Sequence, residues 1–206
     1  MKKLFASILL FAAATAAVAQ TYTSRQGYDL PDNEISVYYG QGSCTQLAMA
    51  LGSAWCTAFT LGAARLEELR STGAIGVEYH RYVHPGIAVG AVLGYEGGTM
   101  RFSTLSGEDE NGEPVYSPGS EDANRFSFIE FMPSVTFKWF SLPSLSMYSR
   151  VALGAMLDLS GDGKTLVFAF QASPAGIDFG TGRFRGFLEA GFGCQGILTV
   201  GLRLCL

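Results

Sequence analysis

Residues 183–206 alternate so regularly that they limit what the rest of the chain can fold into. From Leu198 the even positions are apolar: Leu198, Val200, Leu202, Leu204 and Leu206. Between them lie Thr199, Gly201, Arg203 and Cys205. Just upstream, Phe184, Leu188, Ala190 and Phe192 alternate with Arg183, Arg185, Glu189 and Gly191. A period of two sends successive side chains to opposite faces of a strand. Two such strands joined by Gly193-Cys194-Gln195-Gly196 predict a hairpin, one face apolar and the other polar.

The same period returns along the chain. Strands are expected over residues 34–40, 74–82, 87–96, 126–139 and 145–157, with a sixth opening at Leu166. With the final hairpin these make eight. The alternation weakens between Pro174 and Gly176, where a bulge is expected. The weaker faces carry Glu78, His80, Glu96, Glu130, Lys138, Arg150, Arg183, Arg185, Glu189 and Arg203. The bulky faces carry Phe131, Phe137, Trp139, Phe168, Phe170, Phe184 and Phe192, too much volume for the inside of a small barrel. In a soluble barrel the apolar face points inward. Here the opposite arrangement fits: apolar residues outside against lipid, and glycine, hydroxyls and charges inside. Unpaired buried ions cost several kcal/mol each, so acids and bases are expected to pair across a filled, salt-bridged lumen. Water-filled pores need roughly 16 strands.

Connections alternate long and short: 41–73, 83–86, 103–124, 140–144, 158–164, 180–182 and 193–196, the last a short one on the long side. Short turns at one end and longer loops at the other are the outer-membrane pattern. Closure sets residues 197–206 beside 34–40 and brings Cys194 near Cys44.

The N-terminus carries Lys2 and Lys3, an apolar segment from Leu4 to Ala16 and Ala17-Val18-Ala19, which predicts a secretory signal over residues 1–19. The apolar run is shorter than the ~20 residues of a spanning helix. The barrel domain is then 20–206, in a Gram-negative envelope. Loss of the two lysines takes the formal net charge from −4 to −6. That sign excludes a nucleic-acid partner. In an exported chain, disulfides persist. Loop spacing favours Cys44–Cys56 as the bridge, and closure gives Cys194 a rival claim on Cys44.

The run FLEAGFGCQGILTVGLRLCL, with GVEYHRYVHPGIAVGAVLGYEGG upstream, resembles the small outer-membrane β-barrel proteins, the porin-like family of eight-stranded barrels. The resemblance covers nearly the whole chain after residue 19. It implies an all-β, up-and-down transmembrane barrel, monomeric, in contact with outer-membrane lipid and lipopolysaccharide and delivered by the barrel-assembly machinery. Where that family commonly ends on an aromatic residue, this chain ends on Leu206.

Residues 191–196 match G-x-G-x-x-G, but a strand pattern follows instead of a helix, so a hairpin turn is expected. His80 has Glu78 on its own face; a lumen hydrogen-bonding role is preferred to catalysis, because no nucleophile is arranged beside it. No catalytic residue, metal or cofactor is expected. The acidic stretch 107–122 reads as a solvated surface loop, the sharper alternative being Ca²⁺ or a bridge to lipopolysaccharide phosphates. Arg101 and Arg125 flank it, where anionic headgroups could pair with them. In the first long loop Leu47, Leu51, Trp55 and Phe59 recur every four residues, a helical stripe that Leu66 and Leu69 extend. It caps the barrel mouth or lies on the outer leaflet, or offers a docking surface. The expected role is structural or interactive, toward lipid, envelope or host partners. The alternatives are a narrow channel for small solutes and, behind it, a lipid-modifying enzyme.

Overall fold

The structure, a computed structural model, describes residues 32–60, 64–108, 114–118, 125–161 and 164–206. The N-terminal segment 1–31, including the expected signal, lies outside them. In chain order the elements are β1 (Asn33–Gln41), α1 (Cys44–Phe59), β2 (Ala64–Ser71), β3 (Ala74–His84), β4 (Ile87–Glu108), β5 (Pro114–Pro118), β6 (Arg125–Ser141), β7 (Leu145–Asp158), β8 (Thr165–Phe179), β9 (Phe184–Gly193) and β10 (Leu198–Cys205).

Eight antiparallel strands close a barrel: β1, β3, β4, β6, β7, β8, β9 and β10. The seam is the pairing of the last strand with the first, from Glu34 opposite Cys205 to Gln41 opposite Leu198. Closure leaves no free edge within the wall. The turn His84-Pro85-Gly86-Ile87 shows how the sequence makes a corner. Proline presets the first central residue, and Gly86, at φ 85°, supplies the left-handed second one.

Alternation sets the two faces. Along β1 every second residue from Glu34 is buried, while Ile35, Val37 and Tyr39 are exposed. The outer wall carries Phe184, Phe168, Leu202 and Phe131 at 74%, 67%, 65% and 55% exposure. These are values at which a water-soluble surface would be strewn with apolar patches. Arg150, Arg203, Tyr148, Lys138, Phe187 and Met132 are among the largest fully buried side chains, and they fill the interior. Glycine makes room for them: a Cβ at Gly176 would run into the Tyr148 ring, and one at Gly201 into Phe187.

The bulge lies where the alternation falters. The β8–β9 register slips between Ala172 and Ala175, and the facing β7 slips between Tyr148 and Arg150. Pro174 has no N–H for the ladder, and its carbonyl accepts the Ser149 hydroxyl at 3.0 Å. Past the bulge the parity inverts. Gln171 and Ser173 point inward before it, Gly176 and Asp178 after it.

Three features depart from the expected pattern. Leu66 and Leu69 belong to strand β2, and the helix ends at Phe59. Register slips between Leu66 and Glu68, so Leu66 faces Phe102 and Leu69 faces Met100. A bulge puts residues three apart on one face, which imitates a helical spacing. Second, the loop expected over 103–124 is partly a ladder, because β4 runs on to Glu108 and pairs with β5. Third, Arg183 is exposed in the short turn before β9 rather than in the lumen.

Candidate functional site

The lumen gathers polar side chains from all eight barrel strands, and its partners change along its length. At the short-turn end Lys138 Nζ lies 3.2 Å from Glu34 Oε1 and 3.5 Å from Asp178 Oδ2. Arg203 reaches Asp178 Oδ1 at 2.6 Å and Glu34 Oε2 at 3.6 Å. Hydroxyls complete the shell: Tyr82 donates to Glu34 at 3.1 Å and Ser146 to Asp178 at 3.0 Å. The Arg203 guanidinium also lies over the Phe187 and Tyr148 rings, 4.8 and 5.0 Å from their centroids. Such cation–ring contacts strengthen in a desolvated interior. Arg185 is buried beside this group, opposite Arg203 in the β9–β10 ladder.

At mid-height Arg150 binds two acids on opposite walls. It pairs with Glu78 from β3 and, through Nη2, with Glu189 Oε2 from β9 at 2.6 Å. Gln195, in the turn before β10, joins the set: its Oε1 accepts from Arg150 at 2.7 Å and its Nε2 donates to Glu78 at 2.7 Å. Tyr148 donates to Glu189 at 2.7 Å. These groups are fully buried, and a guanidinium with its planar fork of donors is suited to clamping two carboxylates at once.

Toward the long-connection end the partners are hydroxyls. Glu130 accepts the Tyr38 hydroxyl at 2.9 Å. Glu96 accepts Ser43 Oγ at 2.7 Å and Ser71 Oγ at 2.8 Å. Ser43 and Ser71 belong to the first long connection, so α1 and β2 are tied into the mouth from above. An apolar cluster of Tyr38, Val92, Met132, Met156 and Phe187 packs beneath, with Cys194 in it and Cys44 against it.

Helix α1 enters this mouth by its N-terminus. Ser43 Oγ accepts the Gln46 N–H at 3.1 Å, and Gln46 Oε1 accepts the Gly42 N–H at 2.9 Å, a reciprocal cap of the S-x-x-Q kind. Its orientation is not the one a hydrophobic stripe suggests. Thr45 and Ser53 are buried, while Leu51 is 62% and Phe59 80% exposed.

His80 and Ser134 meet across Gly90, His80 Nε2 lying 3.1 Å from Ser134 Oγ. Sequence spacing gave no sign of this contact, because the two residues sit on strands two apart. Among the described residues His80 Nδ1 has no hydrogen-bond partner, and both side chains are buried. A nucleophile–base pair needs a third group to orient the base, and none of the described residues lies on that nitrogen.

Of the ten inward-facing residues expected from the alternation, nine — Glu78, His80, Glu96, Glu130, Lys138, Arg150, Arg185, Glu189 and Arg203 — are buried, and Arg183 is exposed. Tyr148, which shares the parity of Arg150, joins them, as do Glu34, Asp178 and Gln195, which were missed. Glu34 shares the parity of Ser36 and could have been found; Asp178 lies past the bulge, where the frame had inverted. Arg101 faces Glu68 across the β2–β4 ladder, and Arg125 faces Thr99 at the start of β6. Cys44–Cys56 pairing does not fit the helix: both lie on α1, at positions roughly 18 Å apart along its axis at the usual rise, too far for a bridge. Among the described residues no group of three His, Cys, Asp or Glu side chains is placed to hold a metal ion.

Compared with known proteins, the chain matches no family model, no curated protein and no solved structure.

Proposed function

We propose that this chain is an outer-membrane barrel whose role is structural or interactive, presenting the β4 extension and α1 at the surface. One observation carries the reading: the barrel is inside-out, with phenylalanine, leucine and valine outside and ion pairs within. In water that outer wall would drive aggregation; in hydrocarbon it is the surface expected of a spanning barrel. A closed ladder pairs wall strands on both edges, as hydrocarbon demands. Among the described residues no helix is long and apolar enough to cross a membrane, which bears only on helices.

The packed lumen favours this role over conduction. An ion would have to displace Arg150 from Glu78 and Glu189, all fully buried. Reconstituted protein is therefore expected to give no steady single-channel conductance in planar bilayers, and to run as a compact, heat-modifiable band from the outer-membrane fraction. Steady openings would favour the narrow pore instead, and recovery as a soluble protein would remove the envelope reading altogether. The lipid-modifying alternative has only the His80–Ser134 contact in its favour, and that contact lies inside the lumen, away from the outer wall.

A further inference from the structure

The two thiols at the mouth come from opposite ends of the sequence. Cys44 Sγ and Cys194 Sγ lie 3.2 Å apart across 150 positions of chain. Each is held by its own backbone. Cys44 opens α1, fixed by the Ser43–Gln46 cap and by the Ser43–Glu96 hydrogen bond. Cys194 N–H donates to the Phe170 carbonyl at 2.8 Å, and the next residue, Gln195, is held by Arg150 and Gln171. Two independently anchored thiols therefore point at one place. The remaining cysteines are poor rivals. Cys56 is far along the same helix, and Cys205, opposite Glu34, is at the other end of the barrel.

The local chemistry suits reaction. The hydrogen bond from Cys194 holds the Cys44 thiol below the usual range, against the opposing effect of burial. A helix N-terminus adds to this by favouring the thiolate.

We propose that Cys44 and Cys194 form a disulfide that fastens the start of α1 to the β9–β10 turn. The step is thiol–disulfide exchange with a small or protein-borne disulfide as oxidant. Cys44 thiolate attacks one sulfur of the oxidant and expels a thiol. Cys194, losing its proton, then attacks the Cys44 sulfur of the mixed disulfide and expels the second thiol. The protein loses two hydrogens, and the oxidant's disulfide is reduced to two thiols. With the bond closed, α1 is fastened covalently to the β9–β10 turn; with it open, noncovalent contacts hold it, among them Ser43 to Glu96 and Gln46 to Ser71.

The test uses the full-length protein in detergent micelles, incubated with oxidised glutathione, alkylated, digested without reductant and mapped by mass spectrometry. A linked peptide pair carrying Cys44 and Cys194 is expected, lighter by two hydrogens and lost on reduction. Full alkylation of both thiols, a stable glutathione adduct on either, or Cys44 joined to Cys56 overturns the proposal. The double variant Cys56→Ser/Cys205→Ser retains the pair and should still cross-link; its failure to do so also counts against the pairing. Amide exchange over residues 44–50 should slow several-fold on oxidation, and an unchanged rate would show that the bond fastens nothing. This chemistry is read in micelles and does not depend on the envelope reading, which the fractionation above tests separately.

Discussion

At the short-turn end and at mid-height, carboxylates are matched to cations: Glu34 and Asp178 to Lys138 and Arg203, and Glu78 and Glu189 to Arg150. At the mouth, Glu96 and Glu130 are held by the hydroxyls of Ser43, Ser71 and Tyr38. The two regions have the same wall, the same alternation and similar burial, yet their electrostatics differ. In the ionic region each charge is the condition for its neighbour's burial. Removing one partner strands the other, and a stranded ion is far more destabilising than a lost hydrogen bond. In the mouth, a carboxylate can lose its charge and still hold its partners, because a hydroxyl rotates to suit whatever it meets. The lower lumen is thus a set of fixed ions, and the mouth is a joint between barrel and loop.

Substitutions test this contrast. Arg150→Met leaves Glu78 and Glu189 buried and unpaired, and is expected to lower stability by about 3–5 kcal/mol, read as a shifted midpoint in urea unfolding from lipid vesicles. Arg203→Lys keeps the charge but loses the fork that joins Asp178, Ser36 and Tyr148. A loss of roughly 1.5–3 kcal/mol is expected, and an unshifted midpoint would show that charge alone matters there. Gly176→Val drives a branched side chain into Tyr148; overpacking should cost about 1–3 kcal/mol, visible as a lower temperature for loss of the compact gel form. Glu130→Gln, at the mouth, still accepts from Tyr38 and is expected to cost about 1 kcal/mol or less. Should it prove as damaging as Arg150→Met in the same urea series, the distinction between the two regions fails.

The barrel could be read from the sequence because its wall obeys one rule, and Glu130, Lys138 and Arg150 could be placed inside by counting in twos. Counting fails wherever a residue is inserted. The bulge at Pro174 hides Asp178, the acid that Arg203 and Lys138 share. The bulge in β2 does the reverse, giving Leu66 and Leu69 the spacing of a helix. Helix α1 was visible as a stripe, but its facing was not. An apolar stripe is expected to turn toward the protein, yet here the interior it meets is polar, so Thr45 and Ser53 turn inward and Leu51 outward. The contacts of Gln195 could not be counted at all, since a turn has no period. Only closure of the barrel brings it between Arg150 and Glu78.

Strand β4 continues past the last residue it pairs with β6, Thr99, to Glu108, flanked by β2 on one edge and β5 on the other. At the usual rise per residue this ladder stands on the order of 30 Å tall. Glu108, at the end of such a support, has a defined height and heading above the barrel, unlike a residue tethered by coil. Its reach is therefore a property of the sheet. Shortening β4 and β2 in matched pairs of residues would lower Glu108 by about 7 Å per pair while preserving which face each side chain occupies, so its height can be adjusted without altering the surface it presents.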